Sequence, residues 1–416
     1  MIDFESYTLP NGLTVLLHHD EQRTVATVNV LYKVGSRNDP PHRTGFAHLF
    51  EHLMFAGSEN VPNFDDALQL AGGENNAVTS SDYTLYYETL PAENLETALW
   101  LESDRMRKLR FSKRSLENEK RVVIEEFRET CLEQPYGDLY HHFNGLIYRE
   151  HPYRWPVIGQ DIDHIREATL EEVKEFYYRY YRPDNAILCI AGNFDPTTIR
   201  KSIADYFADI PPSDTQLPRP VILPEPPQED FRHLRVEGEV PSPVIYLHFR
   251  TVDRLHEDFP ATDTLSFLLG GGRSSLLYRR LVRDTELFAE VSAGINDNLD
   301  SGGIIVEARP SEDVDYTTAR AALYAAIDEM IEVGISQEEL DKVVHRLEQR
   351  NHYREANISN RANELVFFAL LGDPALINTE MDKYLSLTVE QINAVARRYL
   401  RQQVRAELEY LSAPLA

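Results

Sequence analysis

Only two cysteines, Cys131 and Cys189, occur in 416 residues, too few for a disulfide framework. Cys189 lies in an apolar, strand-like run where a small buried thiol fits. No apolar run approaches the ~18 residues that a membrane-spanning helix needs. The opening residues, Met1 to Ser6, carry neither the basic nor the apolar stretch of a secretory leader. From these absences a cytoplasmic location is expected. Positive charge is scarce: 42 Lys and Arg stand against 68 Asp and Glu, for a net charge of −26. That excess argues against nucleic acid and anionic membranes as partners. It would suit a cationic peptide, although a solvated acidic surface explains it as simply.

The rest of the composition, 42% hydrophobic and 26% charged, is that of a globular chain. The length exceeds one typical core and calls for two or more domains. Residues 4–18 read as strand, turn and strand, because Asn11-Gly12 between apolar alternations favours a hairpin. Residues 24–34 are β-branched and apolar enough for a central strand. Pro40-Pro41 marks a loop over 35–44. A short helix over 64–70, broken by Gly72-Gly73, precedes an extended run from Asn75 into residues 83–90. Amphipathic helices are predicted over 95–109 and 112–130, the second capped by Ser112. A helix over 169–181 leads into a strand at 186–191.

Seven prolines from Pro211 to Pro227 make residues 210–230 a semi-extended linker. Beyond it the pattern repeats. Thr169 to Arg182 matches Thr388 to Arg401 at one fixed offset, and each leads into a strand. Ser336 and Leu340 echo Ser112 and Leu116. Residues 244–250 parallel 28–34, and a helix over 262–269 parallels the one over 44–55, without its histidines or glutamate. The expected fold class is therefore α+β. Two homologous domains, 1–209 and 231–416, would each be a mostly antiparallel sheet packed with helices. The run from Gly270 to Ser275 lacks G-x-x-x-x-G-K-[ST] spacing and follows a helix, so nucleotide binding is rejected in favour of a turn into a helix over 276–282.

The chemistry concentrates between Thr44 and Phe55, a mostly apolar segment that reads as a buried helix with Thr44 as N-cap and a stop near Gly57. His48 and His52, four apart, leave one face a turn apart and can chelate one divalent metal, with zinc the first choice. Glu51 lies on nearly the same face and can take a proton from a metal-held water. A charged triplet on an apolar helix has to be paired or metal-bound. A catalytic zinc usually takes a third protein ligand, and Glu119, Glu125 and Glu126 of the 112–130 helix are candidates. Glu119 and Glu126 share a stripe, seven residues apart, while Glu117, Glu125 and Glu129 read as solvated. Spacing alone does not choose the third ligand. His141, His142 and His151 read as structural, since adjacent histidines on a helix cannot face one metal.

His48 to His52, the run Gly73 to Thr79, the run Glu119 to Glu126 and the run Gly270 to Ser275 together resemble the M16 (pitrilysin-type, inverzincin) metallopeptidases. The likeness is to the half-length branch that includes the mitochondrial processing peptidase β subunit, and it covers nearly the whole chain. The resemblance implies one Zn2+ per chain on His48, His52 and Glu126, with Glu51 as general base and Glu119 supporting the ligands from behind. It implies that Asn76, Ala77, Val78 and Thr79 lie at a sheet edge and pair with substrate main chain as an added strand. The implied activity is endopeptidase cleavage of short or unfolded peptides within a chamber. Catalytically complete members carry an arginine and a tyrosine seven apart after the Gly-rich loop. Here those positions are Val282 and Ala289, with Arg280 and Arg283 nearby. The resemblance thus implies a heterodimer with a homologous subunit that carries the pair and lacks zinc ligands. A non-catalytic structural subunit and a self-sufficient homodimeric peptidase are the alternatives.

Overall fold

The structure, a computed structural model, describes residues 1–212, 221–296 and 298–413. The chain forms two compact units. The first comprises Met1–Arg128, Trp155–Ile222 and His352–Thr379, and the second Glu129–Arg154, Leu223–Asn351 and Glu380–Ala416.

The first unit is built on six strands: β1 (Glu5–Thr8), β2 (Thr14–His19), β3 (Val25–Tyr32), β4 (Glu74–Thr79), β5 (Thr84–Pro91) and β6 (Ala186–Gly192), in the order β1-β2-β6-β3-β5-β4. β2 and β6 are parallel and every other neighbour is antiparallel. The predicted hairpin at Asn11-Gly12 joins β1 to β2. Gly12 has φ +91°, and a Cβ there would meet Asp184 Cβ at 2.7 Å, so the turn requires glycine. β6 is buried along its whole length because both faces of the sheet are covered. Leu188 and Ile190 join the core beneath helices Phe46–Leu53, Leu95–Arg107 and Leu170–Tyr180. Ile187, Cys189 and Ala191 face the opposite side, under helix Ile358–Leu370. Burial pushes the pKa of the Cys189 thiol up, as befits an inert core residue.

The second unit has β7 (Arg232–Gly238), β8 (Val244–Arg250), β9 (Phe288–Asn296), β10 (Gly303–Pro310) and β11 (Ala406–Ser412), in the order β7-β11-β8-β10-β9. Taken in turn, these correspond to β2-β6-β3-β5-β4, including the single parallel pair, here β7 with β11. The duplicated α+β architecture expected from the repeat is what the chain adopts. The matched helices Leu170–Tyr180 and Val389–Tyr399 open with the same capping box. Thr169 Oγ1 accepts from Glu172 N (3.3 Å) and Thr388 Oγ1 from Gln391 N (3.3 Å), with Glu172 and Gln391 reaching back to the cap N–H groups.

The two units depart from a simple cut at residues 210–230. Each takes one helix from the other half of the sequence: Ile358–Leu370 packs Ala362, Leu365 and Val366 on the first sheet, and Leu139–Ile147 packs Phe143 and Ile147 on the second. Periodicity shows that a helix buries a face, but not which sheet it buries it against. Of the proposed linker, residues 213–220 lie outside the described residues, and 221–229 contain neither helix nor strand. The helix expected over 262–269 begins earlier, at Phe259, with Pro260 in its first turn. The one expected over 276–282 is a π-helical turn, Tyr278–Asp284.

Candidate metal centre

Helix Phe46–Leu53 buries Phe46, Ala47, Leu49, Phe50 and Leu53. The Phe50 ring stacks on Phe176 and Tyr181, with centroids 5.1 and 5.0 Å away. Anchoring that face in the aromatic core turns His48, Glu51 and His52 to the other. The helix does not start as expected from Thr44. Gly45, with φ +91°, is the cap residue, and the buried Asp39 carboxylate accepts from Gly45 N (2.7 Å) and Ala47 N (2.9 Å). Thr44 Oγ1 instead accepts from Gln160 N at 2.8 Å. A Cβ on Gly45 would meet Ile158 O at 2.6 Å, so the cap position requires glycine and has no side chain of its own to cap with.

Helix Lys113–Phe127 is capped by Ser112 as predicted, with its hydroxyl 3.0 Å from Ser115 N. Leu116, Val123 and Phe127 are buried, which leaves Glu117 and Glu125 exposed and brings Glu119 and Glu126 to the flank. Glu125 pairs with Arg128 (3.2 Å) and Glu117 with Lys120 (3.1 Å). Glu126 faces the histidines: Oε1 is 3.6 Å from His48 Nε2, and Oε2 is 3.4 Å from His52 Nε2. Glu119 lies half-buried near His52 but outside this cluster.

The donor atoms of His48, His52 and Glu126 lie within 4.8 Å of one another. The two nitrogen–oxygen separations exceed the usual 2.7–3.2 Å of a good hydrogen bond. Each is close to the roughly 3.3–3.6 Å that separates two ligands about 2.0–2.2 Å from one zinc, with His48 facing one oxygen of Glu126 and His52 the other. The donor set and its spacing therefore fit one zinc ion. Burial pushes the His48 pKa down, toward the neutral imidazole that a metal requires. For His52, burial is outweighed by the Glu126 carboxylate, and its pKa is raised. The imidazoles of His52, chiefly, and His48 hold Glu126 below the usual carboxylate range. Burial raises Glu119, with His52 opposing.

Glu51 is tied down from the sheet: the Thr79 hydroxyl donates to Glu51 Oε2. β4 is the terminal strand of its sheet, paired only with β5 among the described residues. Alternation along it places Ala77 and Thr79 on the metal side and Asn76 and Val78 on the other, both exposed. Of the four residues singled out for substrate binding, Thr79 thus spends its side chain on the carboxylate and Ala77 on the core. Sequence reasoning missed this bond and the Asp39 cap. The alternation across 74–79 carried the signal for the former; for the latter no local signal existed.

Of the histidines read as structural, His142 pairs with Asp138 (3.1 Å) and His151 with Asp300 (3.1 Å), both within the second unit. A second cluster, His233, Glu407 and Glu409, is already neutralised by Arg320, which bonds Glu407 and lies 3.1 Å from Glu409. Val282 packs against the second core and Ala289 is exposed on β9. Nearby, Arg280 pairs with Glu329 (3.2 Å) and Arg283 with Asp284 (2.8 Å).

Residues 14–159 match the family profile described as Insulinase (Peptidase family M16), and residues 167–347 the one described as Peptidase M16 inactive domain. The zinc protease PqqE of Helicobacter pylori is 31% identical over 405 residues, covering 95% of this chain and 90% of that protein. A crystal structure of a protease from Helicobacter pylori is alike with a TM-score of 0.93, 28% identity and complete coverage of both chains. The periplasmic protease PqqL from Escherichia coli shares the fold, with a TM-score of 0.82 and 19% identity over 99% of this chain and 48% of that one. This last likeness overturns the expectation of a cytoplasmic location. A chain that buries two large cores does not need disulfides to fold, so scarce cysteine carries no information about a reducing compartment.

Proposed function

The chain belongs to peptidase family M16, and from that membership we propose that it is the zinc-holding, catalytic subunit of a heterodimer that hydrolyses short or unfolded peptides. Its fold and its His–His–Glu cluster are those of a zinc metalloendopeptidase. The observation that carries the reading is the 3.4–3.6 Å spacing of Glu126 from His52 and His48, with Glu51 held beside them by Thr79. His48, His52 and Glu126 would hold one zinc. When bound, zinc supplies Lewis acidity, making water acidic at neutral pH and polarising the scissile carbonyl.

The protein's own groups do the rest. Glu51 accepts the proton of the attacking water and returns it to the departing amine. Because Thr79 occupies Oε2, the proton moves on and off Oε1. The Thr79 bond also fixes the carboxylate plane, so no rotamer search precedes transfer. Glu119 supports the site as a charge next to His52. The free edge of β4, through Asn76, Ala77, Val78 and Thr79, offers main-chain hydrogen bonds to an added peptide strand, which grips substrates of varied sequence. Val282 and Ala289 provide neither a cation nor a phenol, and Arg280 and Arg283 are engaged with acids. These features support a homologous partner that contributes an arginine–tyrosine pair.

The test is cleavage of an unstructured peptide mixture by the purified, zinc-loaded chain, with a chelator control. No turnover despite stoichiometric zinc is expected from the chain alone, and turnover on adding the partner. Chelator-sensitive turnover by the chain alone would replace the heterodimer with a self-sufficient homodimer. Absence of zinc would favour a structural subunit.

A further inference from the structure

The face of β4 turned away from the metal borders a cleft of ≈ 750 Å³, contained within the first unit. Its wall on the sheet side is formed by Glu74 and Asn76 of β4 and by their cross-strand neighbours Thr89 and Tyr87 of β5. Its opposite wall is the start of helix Ile358–Leu370, with Asn357 and Asn360. Amides and hydroxyls dominate this lining. Its two charges oppose each other: Arg23 is already bound to Asp20 (3.1 Å) and to the Ala356 carbonyl (3.2 Å), and Glu74 lies exposed at the rim.

In a peptide strand laid along β4, successive side chains point to opposite faces of the sheet. One set goes to the metal side and the alternate set to this cleft. An apolar side chain entering the cleft would cover amide groups without hydrogen-bonding them, which is unfavourable. A charged one gains little, because the cleft has no net sign to offer. We propose that this cleft is a specificity subsite that takes uncharged hydrogen-bonding side chains, amide or hydroxyl, at every second position of the substrate. The inference rests on the strand-addition reading above.

The test uses the zinc-loaded Glu51→Gln chain, to prevent turnover, and a short, unstructured, fluorescent peptide with Asn or Leu placed at each position in turn. Binding is read by anisotropy. Asn should be favoured over Leu by about tenfold, the effect of roughly one unsatisfied polar contact, at alternate positions only. Asn360→Leu should abolish or reverse that preference, and Tyr87→Phe, a smaller change that removes one hydroxyl, should reduce it. Peptides that bind without a two-residue period of preference would overturn the subsite while leaving strand addition intact. An unchanged preference in both variants would do the same. Failure of every peptide to bind would remove strand addition itself, and the subsite with it.

Discussion

Helices Phe46–Leu53 and Phe259–Gly270 lie between corresponding strands of a duplicated fold, yet they handle their polar side chains in opposite ways. In the second, Thr262, Ser266 and Asp263 each bond a separate partner, and the buried Thr264 hydroxyl has none among the described residues. Thr262 donates to the Phe259 carbonyl (2.9 Å), Ser266 donates to the Asp263 carbonyl (2.8 Å), and the Asp263 carboxylate accepts from Tyr384 (2.9 Å). In the first, the His48 and His52 rings meet edge to face (5.0 Å), but their polar partners and that of Glu51 lie off the helix. These are Glu126 on a neighbouring helix and Thr79 on an edge strand. One scaffold thus serves structure where its polar groups bond separately, and chemistry where they converge.

The comparison breaks most completely at the ligands. His52→Ala or Glu126→Gln should take zinc from one per chain to near none, by elemental analysis, while the second unit's near-ultraviolet signal persists. Next in size is Glu51→Gln. In the assembly that cleaves peptide, kcat should fall about 10²–10⁴-fold with zinc content unchanged; ordinary turnover would remove Glu51 as the base. Thr79→Val should lower activity about 10–100-fold, as expected for a group that orients a catalytic side chain. Thr79→Ser should restore it, and Thr79→Ala should not.

Two smaller effects sharpen the contrast from the second unit's side. His248 is fully buried, both its ring nitrogens lack hydrogen-bond partners among the described residues, and burial pushes its pKa down to about 3. The unfolded chain binds that proton more readily, so stability falls as pH drops below about 6.5, by about 1.4 kcal/mol per unit, until about 3. Urea midpoints at pH 7.5 and 5.5 should therefore diverge more in wild type than in His248→Leu. Last, Thr169→Ala and Thr388→Ala should each cost about 1 kcal/mol, and Thr169→Ala slightly more, because its hydroxyl also donates to the Glu172 carboxylate (2.7 Å). A several-fold difference would mean that the repeat is less symmetric in energy than in geometry.

Much of this was legible before any coordinates. Asn11-Gly12, the β-branched central strand and the Ser112 cap are local signals, and local physics decides them. The His48–His52 pair was legible for the same reason, since helical spacing alone aligns the rings. Glu126 was not separable from Glu119 by spacing, because both occupy one stripe and only the crossing of two helices decides which end meets the histidines. Asp39 caps a helix from a loop six residues upstream of Gly45, and Thr79 reaches Glu51 across a strand-to-helix contact. Such pairings belong to the tertiary fold. So does the docking of residues 352–379 on the first sheet.

The most direct test of the central claim is zinc stoichiometry of the wild-type chain and of Glu126→Gln, prepared side by side with excess metal removed. One zinc per wild-type chain and almost none in the variant is the predicted result. A wild-type chain without zinc, or a variant that retains a full equivalent, would contradict the assignment of His48, His52 and Glu126 as the metal centre.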